Sequence, residues 1–328
     1  ACGNSVSETQ IITVDDQIAP TLTCPPGITV SCNISEAPAY GSLADFIAAT
    51  GDTSDNCAIN VNSFQLLSEV SDNASCPETV TRTYQIADVC GNTNTCVQLI
   101  TINDEIDPVL DAAPADITVS CIGEVPAMIS LNWTDNCDGS GSVLGSDSSD
   151  GNTCPEVITR TWTYTDACGN SATETQIITV DDQIAPTLTC PPGITVSCNI
   201  SEAPAYGSLA DFIAATGDTS DNCAINVNSF QLLSEVSDGN TCPEVYTRTY
   251  QITDVCGNTN TCVQLITIND EIDPVLDAAP VDITVSCIGE VPAMISLNWT
   301  DNCDGSGSVL GSDSSDGNTC PEVITRTW

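Results

Sequence analysis

The sequence has no histidine and no lysine, and its only basic side chains are Arg82, Arg160, Arg248 and Arg326, against 45 acids. Each absence closes a route. Without histidine or lysine there is no Ser-His-Asp or Cys-His nucleophile pair, no Schiff-base amine and no histidine-bound zinc. Lysine isopeptide crosslinks are equally out of reach. Paired Cys-x-x-Cys metal motifs are missing too, so no enzyme chemistry is expected. A net charge of −41 repels nucleic acid and anionic lipid while suiting cations. No nucleic-acid partner and no membrane insertion of this segment are expected.

What is abundant is cysteine. Twenty cysteines in 328 residues is a heavy load for a reducing cytosol, and disulfides in a secreted or cell-surface protein are the better reading. The second abundance is repetition. Ala1-Cys2-Gly3-Asn4 returns as Ala167-Cys168-Gly169-Asn170, a period of 166 residues (167 − 1), and residues 1–162 laid on 167–328 differ at nine positions. A weaker likeness inside the period, Ile28-Thr29-Val30-Ser31-Cys32 against Ile117-Thr118-Val119-Ser120-Cys121, divides it into a long and a short domain.

Acidic, proline-terminated hinges such as Asp15-Asp16-Gln17-Ile18-Ala19-Pro20 and Asn103-Asp104-Glu105-Ile106-Asp107-Pro108 mark the cuts. They give 1–16 as the end of a short-type domain, 17–104 long, 105–182 short, 183–270 long and 271–328 as a short-type domain that stops mid-repeat. Short runs rich in Thr, Val and Ile, alternating with period two and broken by Gly, Asn, Asp and Pro, predict an all-β fold of tandem, disulfide-stapled immunoglobulin-like β-sandwiches, arranged as beads on a string. Val157 to Tyr164 is the clearest strand, and it forms the last hairpin with the strand ending at Val180. Ser42 to Ala49 reads as a helical turn, a surface insertion of the long domain packed on the sheet.

Residues 17–104 hold six cysteines, 105–182 hold four and 183–270 hold six, and these even counts suggest pairing within domains. Cys24 and Cys96 occur only in the long type, where the short type has Ala112 and Glu174, so they are paired as Cys24–Cys96 and, by translation, Cys190–Cys262. Strand directions in an immunoglobulin-like order then suggest Cys121–Cys154 and Cys137–Cys168, giving Cys32–Cys76, Cys57–Cys90, Cys198–Cys242 and Cys223–Cys256 in the long type.

Arg160 alternates onto the face of Ile158 and Trp162, which argues for a packed stem and a carboxylate partner such as Glu156 or a hinge acid. The hinge acids Asp15, Asp16, Asp104, Glu105, Asp107, Asp181, Asp182 and Asp270 are candidate Ca²⁺ ligands, because hard cations take carboxylate and carbonyl oxygens. Asp55, Asp88, Asp135 and Asp166 in adjoining loops would complete such sites. A solvated acidic linker is the plain alternative. Asn33, Asn73, Asn132, Asn199 and Asn298 each open an N-glycosylation sequon.

At Ile158-Thr159-Arg160-Thr161-Trp162, Asp166-Ala167-Cys168-Gly169-Asn170 and Ile184-Ala185-Pro186 the chain resembles hyalin-repeat (HYR-like) modules, an immunoglobulin-like family. The resemblance implies an extracellular repeat of the kind found in large surface adhesins of gliding Bacteroidota exported by the type 9 route. The expected function is a stalk or filament supporting adhesion or motility, with neighbouring domains of the same chain, and other copies in a filament, as partners. A calcium-dependent glycan-binding module and a self-assembling filament or surface layer are the rivals.

Overall fold

The computed structural model describes residues 2–328 as a tandem array of small β-sandwiches. The chain divides into two compact units, Ala1–Ile117, Pro126–Asp150 and Val157–Thr179 in one, and Thr118–Val125, Gly151–Glu156 and Val180–Trp328 in the other.

In the first unit, a four-stranded sheet runs in the order Ile28–Val30, Thr93–Ile102, Glu78–Asp88, Ile59–Ser71, with Ile28–Val30 parallel to its neighbour. Thr21–Thr23 pairs with Asp52–Ser54 to form the facing layer. The alternation written in Glu78–Asp88 decides which side chains enter between the layers, since successive residues of a strand face opposite ways. Val80, Arg82, Tyr84, Ile86 and Asp88 are all buried. Further along the same unit, Gly139–Leu144, Ser130–Asp135 and Val109–Leu110 form one sheet. Ser146–Ser149, Glu156–Thr165 and Ser171–Val180 lie side by side in another. Trp162, fully buried, joins Leu110 and Leu131 between them and donates through Nε1 to the Ile129 carbonyl at 2.9 Å.

The second unit repeats these elements, with the sheet Ile194–Val196, Thr259–Ile268, Glu244–Asp254, Ile225–Ser237 and, later, Val275–Leu276, Ser296–Asp301 and Gly305–Leu310.

The predicted helical turn is the helix Leu43–Ala48, capped by Ser42, whose Oγ accepts from the Asp45 amide at 3.2 Å. It packs on the sheet, as expected. Phe46 is fully buried and meets Tyr40, Phe64 and Tyr84 at ring-centroid distances of 5.7, 5.0 and 5.5 Å. Aromatic residues are few, so the long segment concentrates them in one cluster, each ring contributing about 1.5–3 kcal/mol by burial.

Each arginine lies directly opposite its acid on the adjacent strand: Arg82 opposite Glu69, Arg160 opposite Asp147, Arg248 opposite Glu235 and Arg326 opposite Asp313. The partner of Arg160 is therefore Asp147, not Glu156 or a hinge acid. Asp147 receives Nε and Nη2 at 2.8 and 2.9 Å, while Nη2 also reaches the Pro126 carbonyl at 3.0 Å. Cross-strand register, which strand spacing alone does not reveal, selects the acid.

The disulfides depart from the expected pairing at all but two bonds. Cys24 bonds Cys96 and Cys190 bonds Cys262, each across 72 residues. The pairs Cys32–Cys76, Cys57–Cys90, Cys121–Cys154, Cys137–Cys168, Cys198–Cys242 and Cys223–Cys256 do not form. Instead Cys32 bonds Cys137, Cys121 bonds Cys223 and Cys198 bonds Cys303, while Cys76 bonds Cys168 and Cys154 bonds Cys256. Their sequence separations run from 92 to 105 residues, beyond the 88 residues expected for a long domain (17–104), so each bond links one expected domain to the next. Strand direction does bring Cys137 and Cys168 towards one end of their sandwich, but there each faces a cysteine of the preceding one. Even counts do not distinguish the two schemes, because an exchange of two cysteines at each boundary preserves parity.

Candidate metal centre at the joints

Each joint is assembled from three short words of sequence. The first is the hinge, where an aspartate closes an Asx turn by accepting from the amide two residues on. Asp16 Oδ1 takes the Ile18 amide at 3.0 Å, Asp104 Oδ1 takes Ile106 at 3.1 Å, Asp182 Oδ1 takes Ile184 at 3.0 Å and Asp270 Oδ1 takes Ile272 at 3.1 Å. The second word is Asp-Asn-Cys. Asp135 Oδ1 accepts the amides of Cys137 and Asp138 at 2.8 and 2.7 Å. Asn136 Nδ2 donates to Asp104 Oδ1 at 3.1 Å and lies 2.8 Å from Cys137 Sγ. Asn222 makes the same link to Asp182 at 3.0 Å, Asn302 to Asp270 at 3.2 Å and Asn56 to Asp16 at 3.2 Å.

The third word is Asp-x-Cys-Gly-Asn, a tight turn that needs glycine because Gly169 sits at φ +95°. Asp166 Oδ1 accepts the Cys168 and Asn170 amides at 2.9 and 2.8 Å. Asn170 Nδ2 joins Asp166 Oδ2 at 2.7 Å to the Asp104 carbonyl at 3.0 Å. Desolvation is the largest single influence on Asp166 and opposes its ionisation, yet the donors from Asn170, Gly169 and Cys168 together hold its pKa below the ordinary carboxylate value. Asp88 is held down in the same way by Asn92, Gly91 and Cys90. The Ile18 amide leads the donors that lower Asp16.

These words bring carboxylates together. Ligand atoms of Asp104, Asp135 and Cys137 lie within 4.8 Å of one another, as do those of Asp182, Asp221 and Cys223, of Asp270, Asp301 and Cys303, and of Asp16, Asp55 and Asp88. The cysteine sulfurs of the first three groups are bound in disulfides and are not thiolates, so oxygen must do the ligating. Asp104 and Asp182 are only 4% and 2% exposed. Oδ2 of Asp104, Asp135, Asp182 and Asp221 is buried with no hydrogen-bond partner, as are Asp16 Oδ2 and Asp55 Oδ1. Unpartnered carboxylate oxygens gathered out of water are costly unless a cation meets them. With sulfur excluded, the clusters of Asp104, Asp182 and Asp270 each offer two carboxylates and that of Asp16 three, oxygen donors of the type a hard divalent ion such as Ca²⁺ takes.

Of the eight hinge acids expected as ligands, Asp16, Asp104, Asp182 and Asp270 enter clusters. The others stay outside the clusters: Asp15 accepts from Gln17, Glu105 from Asn103 and the half-buried Asp181 from Gln183, and Asp107 is exposed. Asp55, Asp88 and Asp135 join as the loop acids, whereas Asp166 reaches its hinge only through Asn170. Sequence reasoning missed the bridging asparagines, although Asp-Asn-Cys recurs four times. Among the sequon asparagines, Asn33 and Asn199 serve as caps, and Asn132 and Asn298 donate to Asp111 and Asp277.

Residues 109–180 match the model of the HYR-like domain with 4 cysteines. No curated protein matches the chain. Among solved structures, the human desmocollin-1 ectodomain is similar at 13% identity, covering 88% of this chain and 68% of that one, with a TM-score of 0.22. The protocadherin gammaB4 extracellular domain is similar at 12% identity, covering 83% of this chain and 53% of that one, TM-score 0.30. Mouse cadherin-23 EC22-24 is similar at 10% identity, covering 76% and 99%, TM-score 0.25. Among the described residues no helix is long and apolar enough to cross a membrane.

Proposed function

We propose that this chain is the structural repeat region, a stalk or filament, of a secreted or cell-surface adhesin, with domains cut at 17–104, 105–182, 183–270 and 271–328. Its joints carry calcium, and it serves adhesion or gliding of the kind for which large Bacteroidota surface proteins are built. The observation that carries this reading is the pair of disulfides linking successive repeats, Cys32–Cys137 with Cys76–Cys168 and Cys121–Cys223 with Cys154–Cys256. A catalytic or free ligand-binding domain gains nothing from being bolted twice to its neighbour, whereas a load-bearing element does. Disulfides of this kind form and persist in oxidising compartments, which suits a secreted or cell-surface protein.

Calcium would add a non-covalent clamp at the same place. Asp104 and Asp135, and Asp182 and Asp221, would supply carboxylate oxygens, and the ion would neutralise charges that otherwise repel. The chain's own residues prepare the site: the Asx turn fixes the hinge aspartate, and Asn136 or Asn222 holds its Oδ1 so that Oδ2 is left for the ion. Electron microscopy of the purified chain with calcium and with chelator tests the proposal. Slender particles that bend more freely in chelator are expected. A globular particle would sink the stalk reading, and unchanged flexibility in chelator would remove calcium from it.

A further inference from the structure

A sandwich sheet has two faces, and the outer face of the long domain differs from the rest of the surface. Val80, Arg82, Tyr84, Ile86 and Asp88 point inward from Glu78–Asp88, so Thr81 and Thr83 between them point out. Cross-strand register sets two ranks on that outer face: Val70, Thr81 and Leu99 in one, and Ser68, Thr83 and Val97 in the other. Val70, Val97 and Leu99 are 59%, 54% and 50% exposed. The second long domain repeats the ranks one 166-residue period on, with Val236, Val263 and Leu265 similarly open. The short domain does not repeat them. Its residues 78 further on (168 − 90 = 78) are Ser148, Thr175 and a half-buried Ile177.

What the face lacks identifies its occupant. None of the residues that Glu78–Asp88 and Thr93–Ile102 turn outward is charged, and the edge strand Ile59–Ser71 adds only Gln65, Ser68 and Val70 beside them. Glu69, their neighbour in sequence, lies on the other face, where it meets Arg82. The chain as a whole carries a net charge of −41. A cationic partner is drawn to the acids, which lie elsewhere, whereas another polyanion is repelled except at a face without acids. Each copy of this chain carries such a face. Its rows of Val, Leu and Thr suit a second sheet packed against them about 10 Å away. Three strands spanning ~14 Å by ~33 Å present about 500 Å² per copy, or about 1,000 Å² in a pair, the low end for specific association. Repetition along the chain multiplies so weak a contact.

We propose that the outer sheet face of each long domain pairs with the same face of a second copy of this chain, so that stalks associate side by side. The inference deepens the stalk reading by naming a lateral partner and rests on that reading, but it is independent of calcium. Two consequences separate it from charge-driven binding. Association strengthens with salt, because ions screen the repulsion between acidic surfaces while the contact itself holds no ion pair. Pairing fails when an acid enters the ranks, since a carboxylate buried there has no cation to meet it.

The test is sedimentation equilibrium of the whole chain, its unpaired thiols capped with iodoacetamide so that no disulfide joins copies. Mass should rise from 34.1 kDa with protein concentration. It should do so at lower concentration in about 1 M salt than in about 0.1 M, as the Debye length falls from ~10 to ~3 Å. The double variant Leu99→Glu, Leu265→Glu, altered only on the outside of the sheets, should stay at 34.1 kDa in both salts. Hydroxyl-radical footprinting of the unmodified chain gives a reading that needs no variant: Val97, Leu99, Val263 and Leu265 should lose reactivity as concentration rises. A monomer throughout, which leaves the face to some other protein, would overturn the proposal. So would association that weakens with salt, pairing untouched by the two substitutions, or protection confined to the edge strand or other surfaces. Single slender particles in the microscope would leave the stalk standing without the pairing, whereas paired globular ones would sink the stalk and keep the contact.

Discussion

Replacing Asp104 by asparagine separates the two things that residue does. Its Oδ1 accepts the Ile106 amide and Asn136 Nδ2, and an amide oxygen can keep both bonds. Its Oδ2 is buried, unpartnered and part of the cluster with Asp135 whose ligand atoms lie within 4.8 Å. Two unit charges at that spacing repel by about 3 kcal/mol at an effective dielectric constant of ~20. Without calcium, Asp104→Asn should therefore raise stability by up to that amount. With free calcium at roughly 100 times the dissociation constant, an occupied site stabilises by about 2.7 kcal/mol, and the variant should lose most of this gain. For a repeat of this size, 1 kcal/mol moves Tm by about 4–8 °C. Differential scanning calorimetry in chelator and in calcium should show a higher transition for the variant in chelator and little calcium-induced rise. Equal losses in both buffers would refute the cation site and leave Asp104 as a turn residue only.

Arg160→Met removes the guanidinium that meets Asp147 and the Pro126 carbonyl, and urea unfolding should register a loss of about 2–3 kcal/mol. The hydrogen bond from Arg160 lowers Asp147 from its usual 3.8, so the pair stabilises fully above that pH and fades as pH falls through the depressed folded value. The acid limb of the stability profile should accordingly flatten in Arg160→Met, and an unchanged limb would show the pair to be inert. Gly51→Ala drives a methyl into the Phe46 ring and to 2.8 Å from its carbonyl; overpacking of this kind should cost about 1–3 kcal/mol, read as a lower urea midpoint.

Much of the architecture was legible because strand alternation is a local property. Glu156–Thr165 buries Ile158, Arg160 and Trp162 as its pattern demands. The Cys24–Cys96 pairing was legible because two positions appear and vanish together between repeat types. The bonds between repeats were not, since cysteine parity and strand direction describe one sandwich at a time and are silent about what its end meets. The metal candidates were half legible for a related reason. Acid content marks every hinge residue equally, but only the position that closes the Asx turn enters a cluster, leaving Asp15, Glu105 and Asp107 in solvent and Asp181 half-buried beside it. The bridging asparagines escaped because Asp-Asn-Cys reads as an ordinary loop until Asp104 is set beside it.

Covalent bonds cross the joints, and the chain offers its own means of checking them. Asp107-Pro108 and Asp273-Pro274 are acid-labile bonds within two hinges. Mild acid cleavage there cuts the chain into residues 1–107, 108–273 and 274–328. With Cys32–Cys137, Cys76–Cys168 and Cys198–Cys303 in place, the cleaved protein must migrate as one species until it is reduced, and then as three. Fragments that separate without reductant would mean that the cysteines pair within each repeat and that the joints are not stapled.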